Sequence, residues 1–157
     1  MICIMSDDRS GDELALRRLA GLYAKGADRG DGEMFAGVFL SGARLRVYRL
    51  PDLERPSTDL TGHEALSHVP SSLSGRFART FHFLGQCTYE IGDGEASGEV
   101  YCLAHHLSAD RDGRTDYVMH MRYLDDYRRD EAGEWRIAER TAHVDWTETR
   151  PANPAGR

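Results

Sequence analysis

The sequence predicts an α+β fold: helices first, then a strongly curved antiparallel sheet wrapped over them. Three observations predict it. Leu16, Leu19, Ala20 and Tyr23 recur at helical spacing and form one apolar stripe. From Arg79 onward the pattern turns β, in four runs near 79–91, 96–109, 115–129 and 134–146. Between the runs lie Gly-Asp-Gly (92–94), Asp-Arg-Asp-Gly (110–113) and Asp-Glu-Ala-Gly (130–133), clusters suited to hairpin turns. Helices segregated from an antiparallel meander define the α+β pattern. Runs this long exceed an ordinary strand, so the sheet is expected to curve and to carry bulges.

The elements follow in order. Ser10-Gly-Asp-Glu13 reads as a capping box that opens the first helix. Gly26 and Gly30 interrupt it, and Glu33 to Phe39 read as a second, shorter helix. Arg44 to Leu50 alternates as a strand, with Leu45 and Val47 on one side, extended toward Arg49, and Tyr48 on the other. Pro51 to Ser57 is a polar loop. Thr61-Gly-His-Glu64 reads as another capping box, opening a short helix through Leu66 and Val69.

Composition bounds the function classes. A chain of 157 residues with 40% hydrophobic and 29% charged residues fits one soluble domain, placed at 10–147 with 1–9 and 148–157 as loosely ordered termini. Pro151 and Pro154 mark that tail. A net charge of -6 and scattered basic residues argue against nucleic acid as a partner. No stretch approaches the length of a membrane span, and the opening apolar run is too short and lacks the basic flank of a signal peptide. Cys3, Cys87 and Cys102 have no zinc or redox spacing, and their odd number argues against a disulfide framework. The expected compartment is a reducing cytoplasm.

A curved sheet over helices leaves a concave face suited to a small molecule. Alternation assigns side chains to it in sets: His82 with Leu84 and Gln86; His106 with Val100, Cys102 and Ala104; Tyr123 with Met119 and Met121; Arg140 with Ala138 and Ala142. A single bulge inverts such an assignment. His105 and His106, as strand neighbours, point to opposite faces and make a poor metal site.

Five segments, in order and spacing, carry a resemblance to a known family. They are Tyr23-x-x-x-x-Asp28-x-x-Asp31 with Phe35 and Phe39; Thr80-Phe-His82-Phe-Leu-Gly85; Ala96-Ser-Gly-Glu-Val-Tyr-Cys102; Arg122-Tyr-Leu-Asp-Asp-Tyr127; and Gly133-Glu-Trp-Arg-Ile-Ala-Glu-Arg140. From Asp12 to Trp146 the chain resembles the SnoaL-like branch of the nuclear transport factor 2-like superfamily. The resemblance implies a cone-shaped α+β barrel and a homodimer or homotrimer. Among the branch's scytalone-type dehydratases, whose pocket combines an aspartate, two histidines, tyrosines and an asparagine, Asp28, His82, His106 and Tyr48 fall on matching positions. Ala27 stands where those enzymes have a further tyrosine, and Tyr123 where they have the asparagine. Tyr23, one turn before Asp28, is the candidate replacement phenol. Arg140 matches the arginine of the related dehydrochlorinases, which use an Asp–His pair at equivalent positions.

The resemblance therefore implies elimination chemistry. Asp28 would orient His82 and stabilise the imidazolium formed when His82 takes a carbon-bound proton. His106, Tyr48 and Tyr23 would assist the leaving group or polarise a carbonyl. Tyr23, Cys102, Met119, Met121, Tyr123 and Arg140 would contact a small hydrophobic substrate. No cofactor and no metal enter this scheme. The expected activity is dehydration of a cyclic polyketide-, steroid- or terpenoid-like compound, with an isomerase or aldol-type cyclase as the alternative. A non-catalytic binding protein or oxygenase small subunit is the reading from a different class. Plainer roles stand beside these: Asp28 as a turn residue, His82 as a core histidine among Phe81 and Phe83, Tyr48 and Tyr123 as packing residues, Arg140 as a partner of Glu139 or an acidic loop, and Asp125-Asp126 as a solvated edge.

Overall fold

A computed structural model of the chain describes residues 6–108 and 115–153, with side chains from residue 9 onward. Among these residues, four helices, α1 (Ser6–Arg29), α2 (Gly32–Ala36), α3 (His63–Ser67) and α4 (Val69–Arg76), accompany six strands. The strands are β1 (Phe39–Arg49), β2 (Thr58–Thr61), β3 (Phe77–Ile91), β4 (Glu95–Ser108), β5 (Thr115–Arg129) and β6 (Trp135–Pro151). They form one sheet in the order β2-β1-β6-β5-β4-β3. The α+β class predicted from the sequence is thus present. The barrel is open, however, because the sheet ends at β2 and β3 instead of closing on itself.

The apolar stripe of α1 builds the core under the sheet. Leu16, Leu19, Ala20, Tyr23 and Ala27 are all buried, and they meet Phe35, Phe39, Tyr123 and Ile137 in one cluster. The helix stops because Gly30 takes φ 70°, a left-handed conformation that glycine adopts without a Cβ clash. The Asp31 amide then bonds back to the Gly26 carbonyl (2.9 Å), satisfying a carbonyl at the helix end. Asp31 caps the next helix, accepting from the Met34 amide at 2.9 Å. Gly26 permits the tight corner between the two helices: a Cβ there would sit 2.7 Å from the Phe35 nitrogen.

Several local expectations need correction. The first helix begins by Ser6, so Ser10 lies inside it and not at its cap. The helix expected to run from Glu33 to Phe39 ends at Ala36, and β1 starts earlier than Arg44 because Phe39 already pairs with Ile137 of β6. Thr61 ends β2 instead of capping a helix; Gly62, at φ 88°, precedes α3, which has no side-chain cap. β2 and α4 were not anticipated as elements, being a short run and a Ser-rich one. β1 and β6 pair in parallel, so the sheet is mixed rather than wholly antiparallel. The tail is also more ordered than its prolines suggest: β6 continues to Pro151 and pairs with Thr115 of β5. The Asp-Arg-Asp-Gly turn and Cys3 lie outside the described residues.

Bulges decide which side chains face inward. A register shift between Leu84 and Cys87 turns Gln86 outward and places Cys87, Tyr89 and Ile91 inside. Another, opposite Asp126 and Tyr127, skips Ala138 and returns Arg140 to the inner face with Ile137, Ala142 and Val144. Gln86 and Ala138 therefore leave the sets that simple alternation assigns. His82 with Leu84, His106 with Val100, Cys102 and Ala104, and Tyr123 with Met119 and Met121 keep theirs.

Candidate active site

The concave face of the sheet, covered by α1, α3 and α4, encloses a cavity of about 410 Å³. That volume is within the range of small-molecule sites. Leu45 and Val47 of β1, Leu60 of β2, Val69 and Leu73 of α4, Ala104 of β4, Met119 and Met121 of β5, and Ala142 of β6 supply an apolar wall. Tyr23, His82, His106 and Tyr123 supply the polar groups in its depth.

Asp28 and His82 meet. The Asp28 Oδ1 lies 2.6 Å from the His82 Nδ1, and Oδ2 accepts the His82 backbone amide at 2.9 Å. Thr80 adds a hydroxyl bond to Oδ1 at 2.9 Å. Burial alone would raise the Asp28 carboxyl, but the bonds from His82 and Thr80 outweigh it and hold it below the ordinary carboxylate value. The carboxylate is thus an acceptor only, so the Nδ1–H of the neutral imidazole donates to it and Nε2 carries the free lone pair. Asp28 sits on the last turn of α1, and the strand alternation of β3 puts Thr80 and His82 on one face. The helix end and the strand start are what bring residues 28 and 82 together. The His82 ring is 93% shielded and still lines the cavity.

His106 is a different kind of histidine. Its ring centre lies 6.2 Å from that of His82, and its Nδ1 donates to the Tyr117 carbonyl at 3.1 Å. Desolvation lowers its pKa to about 4, with the nearby His82 and Arg49 acting in the same direction. At neutral pH His106 is therefore uncharged, with Nδ1–H already engaged. The phenols are the better proton donors. Tyr23 and Tyr123 have ring centres 5.4 Å apart, and burial raises both hydroxyls above the usual phenol value. Tyr23 stands edge-on to His82, centres 6.4 Å apart.

Beneath the phenols lies a buried ion pair. The Arg140 guanidinium, 0% exposed, binds Asp125 through two bonds of 2.7 and 2.6 Å. Tyr127 donates its hydroxyl to the same carboxylate at 2.7 Å. The guanidinium carbon stands 4.2 Å from the ring centres of both Tyr23 and Tyr123, within cation–π range. Burial works against its charge, but Asp125 dominates and keeps Arg140 protonated well above the usual arginine value.

Three placements differ from expectation. Tyr48 faces the other side of β1, stacked on His143 with ring centres 5.5 Å apart, so it cannot touch a molecule in the cavity; Val47 and Arg49 hold the inward positions. Arg140 does not line the cavity; it stands behind it, over the rings of the two tyrosines that do. Cys102 is buried in the core behind the wall, its thiol pushed up to about 11 by desolvation, and it does not line the cavity either. Tyr23, His82, His106, Met119, Met121 and Tyr123 do line it. His105 and His106 point to opposite faces, as alternation requires.

Sequence reasoning missed Thr80, although its position two residues before His82 on one strand was a usable signal. It also missed Asp125, which sits buried at 3% exposure while Asp126 is solvated. Arg49, which the alternation of its strand extended toward the same side as Leu45 and Val47, joins the cavity lining, as do His68 and Arg76, which carry no local signal in the sequence.

Comparison with known proteins agrees with this architecture. A SnoaL-like domain model matches residues 8–141. Among solved structures, a provisionally assigned scytalone dehydratase from Novosphingobium aromaticivorans is 22% identical, with a TM-score of 0.77 over 98% of this chain and 99% of that one. A hexachlorocyclohexane dehydrochlorinase (LinA, type 2) is 16% identical, with a TM-score of 0.79 over 96% and 98%. A protein of unknown function with a cystatin-like fold from Nostoc punctiforme is 20% identical, with a TM-score of 0.66 over 85% and 91%. Likeness at these identities establishes the fold. No curated protein matches the chain by sequence. With five motifs in register and a domain model spanning most of its length, the chain belongs to the SnoaL-like domain family.

Proposed function

We propose that this protein is a small lyase that removes water from a hydrophobic cyclic substrate of polyketide-, steroid- or terpenoid-like type, using its own side chains. The observation that carries the reading is the His82–Asp28 pair at 2.6 Å, opening into an apolar cavity. His82 Nε2 takes a proton from the carbon next to a carbonyl. Asp28, held by three donors, keeps the ring oriented and balances the imidazolium charge. Tyr23 and Tyr123, protonated at neutral pH, donate to the developing enolate oxygen or to the departing hydroxyl. The hydroxide leaves as water with a proton from the site.

The similarity to a scytalone dehydratase candidate and to a dehydrochlorinase supports elimination as the reaction type. Isomerisation or aldol-type cyclisation would use the same base, since enolate formation is the shared first step. His106, neutral and already donating to a backbone carbonyl, is assigned to shaping the pocket instead of to acid catalysis. Tyr48 has no role in this scheme. A homodimer or homotrimer in a reducing cytoplasm completes the reading, consistent with unpaired Cys87 and Cys102 and with Phe81, Phe83 and Trp146 exposed on the outer sheet face. Among the described residues no helix is long and apolar enough to cross a membrane.

The test is to incubate the purified protein with a panel of cyclic β-hydroxy ketones and follow product mass. Loss of one water that disappears in His82→Gln supports the lyase. Conversion at unchanged mass supports the isomerase or cyclase, and no conversion across the panel supports a binding role.

A further inference from the structure

The mouth of the cavity has a charge that the proposed elimination does not use. Lining residues divide by exposure. Tyr23, Tyr123, Ala104, His106, Met119 and Met121 are buried and form the depth, whereas His68, Ser72 and Arg76 are exposed and mark the opening. Arg49, half-buried at the end of β1, joins them there. Arg76 closes α4, its guanidinium 5.3 Å from the Phe77 ring centre.

Two facts make this arrangement informative. First, the chain carries 26 acidic against 20 basic residues, yet among the described residues none of the side chains lining this cavity is a carboxylate. Second, neither arginine at the opening is neutralised within the fold, unlike Arg44 with Asp59, Arg46 with Glu139, Arg122 with Asp145 and Glu99, Arg129 with Asp12 and Arg140 with Asp125; the other unmatched arginines, such as Arg17, Arg18, Arg55, Arg79 and Arg128, lie exposed away from this lining. Among the described residues Arg49 and Arg76 have no ion-pair partner. A low-dielectric funnel rimmed by unmatched guanidinium groups concentrates anions against the overall charge of the molecule. Guanidinium is also the side chain best shaped to grip a carboxylate or phosphate with paired N–H donors.

We infer that the ligand of this cavity is an amphipathic anion: an apolar ring system in the depth beside His82, Tyr23 and Tyr123, and a carboxylate or phosphate at the mouth held by Arg49 and Arg76. The inference rests on the cavity being the substrate site, and it adds the substrate class. The anchoring group lies at the opening, so it positions the ring system in the depth and takes no part in bond breaking.

Calorimetric binding of three naphthalene probes tests it: 2-naphthylacetate, 2-naphthyl phosphate and the neutral 2-naphthylacetamide. At least one anion is expected to bind about tenfold more tightly than the amide, the size of one charge-assisted hydrogen bond at a partly exposed site. The preferred anion identifies the source of the charge as an organic acid or a phosphorylated compound. In the double variant Arg49→Gln/Arg76→Gln the anions fall to the amide's affinity while amide binding stays within about twofold. Equal affinity of all three, binding of none, or a preference that survives in the double variant overturns the inference. The lyase reading fails separately. His82→Gln is expected to keep the anion preference, so a protein that prefers anions but eliminates no water refutes the proposed reaction and leaves the anion site standing.

Discussion

The two faces of the sheet carry the same chemical pairs in different surroundings. On the inner face His82 meets Asp28 at 2.6 Å and Arg140 meets Asp125 through two bonds. On the outer face His105 meets Asp116 at 2.7 Å and Arg122 meets Asp145 through two bonds of 2.8 Å. Bond lengths do not distinguish them. What differs is what lies beyond the pair. His82 opens onto an apolar cavity with two phenols, whereas His105 neighbours an exposed Phe81 and its partner Asp116 also faces the exposed Arg150. Arg140 is fully shielded, whereas Arg122 and Asp145 are 37% and 32% exposed. An imidazole held by a carboxylate becomes a useful base only where a substrate can be held against it. An ion pair becomes critical to the fold only where water cannot replace a lost partner.

Breaking the histidine pairs one at a time gives the largest expected contrast. His82→Gln or Asp28→Asn is expected to lower turnover by roughly 10²–10⁴, the usual worth of a positioned base, while His105→Gln or Asp116→Asn stays within about twofold. Steady-state kinetics on any substrate found in the β-hydroxy ketone panel reads this out. A large loss in His105→Gln with an active His82→Gln would reverse the assignment of the two faces.

The arginine pairs come next. Arg140→Met strands Asp125 in the core and is expected to cost about 3–5 kcal/mol in chemical denaturation. Because Arg140 also supports Tyr23 and Tyr123, the near-ultraviolet circular dichroism of those rings is expected to change even where the variant stays folded.

His106 sharpens the comparison through pH. Its folded pKa of about 4 lies below the ordinary histidine value, so between roughly pH 6.5 and 4 the unfolded chain binds the proton and the folded one does not. The stability it contributes is present above pH 6.5 and is lost as pH falls toward 4, by on the order of 3 kcal/mol. His106→Phe is expected to flatten the stability profile in that window, measured by denaturation at stepped pH. The smallest effect belongs to Arg122→Met on the outer face, under about 1 kcal/mol and weakened further by salt.

Local pattern carried much of this. The stripe Leu16-Leu19-Ala20-Tyr23 and the turn glycines Gly94 and Gly133, both at positive φ, are read correctly from neighbours in the chain, because helix period and turn conformation are local properties. The placement of His82 beside the cavity follows from alternation in the same way. Gln86 and Ala138 are misplaced because a bulge shifts the register of everything beyond it, and bulges have no reliable local signature. Tyr48 was drawn toward the site by resemblance alone, against the alternation of its own strand. Asp125 looked like a surface residue because its partner, Arg140, lies on another strand.

By itself, then, the sequence determined that helices precede the four long strands, the burial of the first helix's stripe, and the two segments that carry Asp28 and His82. Those depend on side-chain period and turn chemistry within a few residues. The tertiary structure decided the parallel pairing of β1 with β6, the burial of Arg140 against Asp125, and the gathering of Arg49 and Arg76 at one opening. Each of these joins residues distant in sequence. Their energies depend on burial and on partners that exist only once the sheet has curved over its helices.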